Sequence, residues 1–153
     1  MRTVLHTLVT NGNILLHGSP HLLEEIHPHF ADDEIAICAT PFPELAIIMA
    51  IFKACKLGKM GYTATLNKKT CCLTVRTCEK TVATLMAHDL VGYVYVIDAD
   101  GFSEKSPFEY RIYNSIYAQK RIAITKSDLP FMPTYGQTEY KILLNRQLAS
   151  VVN

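Results

Sequence analysis

Asn13-Ile14-Leu15-Leu16-His17-Gly18-Ser19 is an apolar run that ends in a ring donor, a bare backbone and a hydroxyl. A short apolar run closed by Gly-Ser reads as a buried strand stopping at a turn. The glycine leaves room for a ligand to lie against main-chain N–H and C=O groups, and the flanking His and Ser are adjustable donors and acceptors. That trio suits a sugar or a carboxamide. Stripped of ligand chemistry, the same residues are a strand end with a structural histidine beside it.

Working outward, Val4 to Thr10 is a second apolar-rich run, and Asn11-Gly12 between the two tolerates positive φ, which predicts a type I′ hairpin. Glu34 to Ala39 is a short β-branched strand that stops at Thr40-Pro41-Phe42-Pro43, where the prolines forbid pairing and Pro43 suits a first helical position. A helix over Glu44 to Lys56 follows, with Leu45, Ile48, Met49, Phe52 and Cys55 at three- and four-residue steps and Gly58 closing it over a sheet. Tyr62 to Leu66 and Cys71 to Arg76 read as strands around Asn67-Lys68-Lys69, and Glu79 to His88 as a short helix capped by Thr77. Val91 to Ala99, Phe108 to Tyr113 and Ile116 to Thr125 are strands punctuated by Asp100-Gly101 and Asn114-Ser115. Past Pro130 and Pro133, Tyr140 to Val151 is expected as a terminal helix with Ile142, Leu143 and Leu148 inward.

The 153 residues, 49% of them hydrophobic, suffice for one continuous core, so an α+β fold in a single domain over 1–153 is expected. A net charge of +1 gives no global reason for nucleic acid or an anionic membrane. Lys53, Lys56, Lys59, Lys68, Lys69, Arg76 and Lys80 nevertheless concentrate positive charge, opposed only by Glu44 and Glu79. This is either a solvated face or a landing zone for a phosphorylated ligand or RNA. The longest apolar window, Leu45 to Phe52, falls far short of the roughly 20 residues of a membrane span, so no membrane partner is expected. The five cysteines form an odd set with an adjacent pair, and no leading charged-then-apolar segment precedes them, which fits a cytoplasmic location. Cys71, Cys72 and Cys78 lack the spacing of a zinc knuckle, and His21, His27 and His29 lack a partner at a ligand distance, so no metal is expected. Tyr110, Tyr113 and Tyr117 among Arg111, Lys120 and Arg121 are an aromatic-basic strip or plain sheet packing.

The strand-borne His17-Gly18-Ser19, the strand ending in Ala39-Thr40-Pro41 before a helix, and the late strand opened by Glu109 together resemble the ADP-ribosyltransferase superfamily. The likeness is to its His-Tyr-Glu branch, that of poly-ADP-ribose polymerases and diphtheria-type toxins, and also to small bacterial proteins with a Tyr/Leu-His-Gly-Ser strand. It covers about Ile14 to Leu129. The resemblance implies split antiparallel β-sheets with a few short helices, NAD as cofactor, and a macromolecular acceptor, protein or nucleic acid. It implies that His17 binds a ribose hydroxyl, that Gly18 offers main-chain bonds to the nicotinamide amide, that Ser19 supports them, and that Thr40 is the polar position of the second strand. Glu109, in Phe108-Glu109-Tyr110-Arg111-Ile112-Tyr113, corresponds to the acid that steadies charge as the glycosidic bond breaks. The branch also needs an aromatic ring over nicotinamide, for which Phe52 and Tyr62 are the candidates, Phe52 fitting a helix core face as well. The activity implied is ADP-ribose transfer or NAD hydrolysis. RNA 2′-phosphotransferase chemistry and a non-catalytic binding module of the same fold stand as alternatives.

Overall fold

The computed structural model describes residues 1–31, 33–57 and 61–145. They form an α+β structure of three α-helices and three antiparallel sheets. The chain opens on a helix, α1 (Arg2–Asn11), where a strand was expected. Leu5 and Val9, four residues apart, are both fully buried while Val4 stays exposed, so the operative period is that of a helix. Val and Thr raise strand propensity, but tertiary burial of one helical stripe outweighs it. Gly12 is extended (φ −151°, ψ 172°), so there is no type I′ hairpin at Asn11-Gly12.

β1 (Ile14–Ser19) is buried along its whole length. It pairs with β6 (Val91–Asp98), which pairs in turn with β9 (Lys120–Thr125), giving the first sheet. The second sheet has the order β2 (His29–Ala31), β3 (Glu34–Ala39), β8 (Glu109–Ile112), β7 (Ser103–Ser106). Among the described residues a single backbone bridge joins these two sheets: Leu16 and Thr40 exchange N–H···O=C bonds of 2.8 and 2.9 Å. β1 and β2 thus lie end to end along one edge of β3, with β8 on the other edge.

α2 (Pro43–Ala54) begins at Pro43 as the sequence predicts and covers the first sheet. Gly18 and Gly92 are the reason it comes so near. A Cβ on Gly18 would stand 2.1 Å from the Ala46 carbonyl oxygen, and one on Gly92 2.9 Å from the Ala50 Cβ. Ile14, Leu16, Val94 and Val96 share this face and the larger core. Leu15, Tyr95 and Ile97 point the other way, toward smaller clusters with Ile37, Ala39, Tyr110 and Ile112 of the second sheet.

The third sheet, β10-β5-β4, closes the far side of α2. β4 (Tyr62–Asn67) and β5 (Cys72–Thr77) match the expected hairpin, and α3 (Glu79–Ala87) the expected helix, with Cys78 rather than Thr77 at its N-cap. Thr77 instead ends β5, its hydroxyl donating to the Gly61 carbonyl. β10 (Glu139–Leu143) corrects the expected terminal helix: Tyr140 and Ile142 alternate inward against β5 and Leu143 points out. The rest of that expected helix, Leu148 included, and Gly58 lie outside the described residues. Ile116, expected to open a strand, makes a lone bridge to Ile26, and β9 starts at Lys120.

Candidate functional site

The gap between β1 and β2 is where the site residues gather. β2 pairs with β3 at His29↔Ala36 and Ala31↔Glu34, β1 meets it at Thr40, and between them the Cys38 carbonyl accepts from the ring of His17 at 2.6 Å. A carbonyl only accepts, so the proton sits on Nδ1 and the neutral ring presents its Nε2 lone pair. Among the described residues no partner bonds Nε2. His17 is 3% exposed, with the His29 ring edge-on at 5.9 Å and Tyr95 at 6.4 Å.

Burial pushes the His17 pKa down to about 4 against the raising effect of the Cys38 hydrogen bond, and the electrostatic influence of nearby Lys53 and His29 adds to the lowering. The unfolded chain therefore binds a proton between the ordinary 6.5 and about 4 that the folded protein refuses. Stability from this group is present above pH 6.5 and falls as the pH drops toward 4, by about 3 kcal/mol in all. Urea titrations from pH 7 to 4 are expected to show this loss, and His17→Leu should flatten that part of the profile.

Gly18 is closed on its Cα face by α2, so its side-chain space belongs to packing rather than to a ligand. Its main chain is a separate matter. Leu16 turns its N–H and C=O to Thr40, and by strand alternation Gly18 turns the same groups to the same edge, one step beyond that last bridge. The Ser19 hydroxyl accepts from the His21 N–H at 3.1 Å, and the Thr40 hydroxyl from the Phe42 N–H at 3.2 Å. Both are buried residues that shape the turns leaving β1 and β3.

Glu109 opens β8 on the other side of β3, so one strand separates it from β1, about 10 Å between strand axes. Its side chain is 24% exposed, and its Oε2 receives both Nε and Nη2 of Arg111 at 2.9 Å. Arg111, 3% exposed, also donates through Nη1 to Asp33 at 2.9 Å and to Glu34 at 2.7 Å. Burial opposes the guanidinium charge, and the three carboxylates more than offset it, holding Arg111 above its ordinary range. The same contact keeps Asp33 and Glu34 below the usual carboxylate range. Lys105 joins Asp33 at 3.3 Å, and Tyr113 donates to Glu34 at 3.1 Å.

Phe52 and Tyr62, the expected nicotinamide stackers, pack against each other away from Gly18. Phe52 is two residues from Ala50, about 200° round the helix, and so points away from Gly18. It packs edge-on against Tyr62 (5.1 Å) and Phe131 (6.0 Å) in the core between α2 and the third sheet. The face of α2 toward Gly18 carries Ala46 and Ala50, with Lys53 next along it.

The remaining candidates disperse. Lys68 and Lys69 sit at the β4–β5 turn, Arg76 is paired with Glu139 at 3.0 Å, and Lys59 lies outside the described residues. Tyr110 and Arg111 are buried while Tyr113 and Tyr117 are exposed, so no continuous aromatic-basic strip forms. His27 bonds Ser115 at 2.8 Å, and no group of three metal-ligating side chains occurs among the described residues. Nor is any helix among them long and apolar enough to cross a membrane. A cavity of about 590 Å³ lies among Leu85, Leu129, Phe131 and Met132, and neither His17, Gly18 nor Glu109 lines it.

Three contributors escaped the sequence reading: the Cys38 carbonyl, His29 beside His17, and Asp33 with Glu34. Alternation on one strand pairs Glu109 with Arg111, but nothing local announces the two acids that reach Arg111 from the head of β3. Compared with family models, with curated proteins and with solved structures, the chain has no match.

Proposed function

We propose that this chain is an ADP-ribosyltransferase-like protein that binds NAD at the gap between β1 and β2 and transfers ADP-ribose to a macromolecular acceptor or to water. The observation that carries the reading is the state of His17: a buried neutral imidazole whose Nδ1–H is fixed on Cys38, leaving Nε2 to accept from a hydroxyl. A ribose hydroxyl is such a donor. Two further observations support it: antiparallel sheets split about the Leu16–Thr40 bridge, as the resemblance implies, and the Gly18 amide and carbonyl turned to that split edge, where a carboxamide can meet them. In this reading Glu109, on the strand beyond β3, is the carboxylate assigned to stabilise the oxocarbenium ion as nicotinamide leaves.

Millimolar NAD is expected to raise the melting temperature of the wild type and to release nicotinamide. His17→Leu, of similar volume but without an acceptor, is expected to abolish the shift. No shift and no released nicotinamide in the wild type would sink the reading. One observation favours a second reading, a binding module without turnover: Glu109 is tied to Arg111, and no aromatic side chain of α2 faces Gly18. A melting shift without nicotinamide release selects it.

A further inference from the structure

Arg111 is a buried guanidinium that joins Glu109 to two carboxylates from a different strand end. We propose that Arg111, Asp33 and Glu34 form a positioning device that aims Glu109 while leaving its charge available; this rests on the NAD reading above. The geometry divides the work. Nε and Nη2 both converge on Oε2, which anchors that oxygen and leaves Oε1 out of the clamp on a side chain that is still 24% exposed. Nη1 faces the other way, onto Asp33 and Glu34.

The charge count gives the second half of the argument. An arginine paired with Glu109 alone would cancel the negative potential that a developing oxocarbenium ion needs. Among the described residues Arg111 and Lys105 meet Asp33, Glu34 and Glu109, five groups that carry one negative charge in excess. Asp33 and Glu34 absorb the guanidinium charge, and Glu109 is held without being neutralised. An arginine suits this better than a lysine, because one planar group supplies donors to both sides.

The test is steady-state nicotinamide release by the wild type, by the double variant Asp33→Asn/Glu34→Gln, and by Arg111→Lys and Arg111→Gln, with Tm measured for each. The double variant leaves Arg111 unneutralised against Glu109, and its kcat is expected to fall about tenfold while KM stays within about twofold. Arg111→Lys is expected to keep most of the melting temperature that Arg111→Gln loses, yet to share the fall in kcat. A merely structural role moves Tm and leaves kcat per folded molecule unchanged. A readout free of turnover accompanies these: the Arg111 Nε–H should exchange slowly by NMR in the wild type and faster in Glu109→Ala, which removes its acceptor. Turnover in the wild type with an unchanged double variant overturns the positioning role alone, as does an Nε–H that exchanges like a free arginine. A wild type that releases no nicotinamide overturns the NAD reading and this role with it.

Discussion

Gly18→Ala is expected to destabilise the fold by about 3 kcal/mol and to lower Tm by roughly 10 °C. The added methyl would sit 2.1 Å from the Ala46 carbonyl oxygen and 2.9 Å from the Ala50 amide nitrogen. Both are helix backbone, held by the α2 hydrogen-bond ladder, so neither can swing aside as a side chain would. Relief requires α2 to ride outward from β1 and β6, which opens voids beside Leu16, Val94 and Val96 in the larger core. Gly92→Ala serves as the milder comparison, since its closest approach is 2.9 Å to the Ala50 Cβ. Calorimetry on both variants checks the ranking; a Gly18→Ala protein melting with the wild type would mean that α2 is not seated on β1 as described.

Glu109→Gln is expected to reduce nicotinamide release by about two to three orders of magnitude, the usual consequence of removing a preorganised electrostatic group. The substitution keeps the side-chain shape, and the amide oxygen can still accept from Arg111, so the fold should survive. NAD affinity should change little, because a charge that matters chiefly in the transition state acts on kcat. Nicotinamide release by stopped assay, beside a melting shift with NAD, separates the two effects. A variant that keeps half the wild-type rate takes Glu109 out of the mechanism. The two variants separate two roles at the candidate site: Gly18 as a packing requirement and Glu109 as chemistry.

How much of this was legible beforehand depends on whether the signal was local. α2 was, because Pro43 fixes a start and Leu45, Ile48 and Phe52 repeat with the helix period. The β4–β5 hairpin, α3 and β6 were legible for the same kind of reason. α1 was not: Thr3, Val4, Thr7, Val9 and Thr10 favour extended backbone, and only the burial of Leu5 and Val9 against the core selects the helix. β10 failed in the opposite sense, its Tyr140 and Ile142 fitting either period until β5 offered an edge to pair with.

The candidate site divides in the same way. His17, Gly18 and Glu109 are visible as a motif, but their environments are not. The resemblance let Phe52 and Tyr62 stand for a stacking ring; the rotation of α2 on Gly18 turns Phe52 toward the third sheet. The sequence left room for a ligand against the Gly18 main chain without saying on which side; the helix claims one side and leaves the main-chain edge.

By itself the sequence determined the α+β class, the strand that ends at His17-Gly18-Ser19 and the helix that starts at Pro43, because each rests on contacts a few residues apart. Tertiary structure alone decided which tautomer His17 holds, that Arg111 joins Glu109 to Asp33 and Glu34, and that α1 is a helix. Those outcomes depend on Cys38, Asp33, Glu34 and the core meeting residues 21 to 78 positions away, and pairing over such distances is fixed by burial and desolvation once the chain has closed.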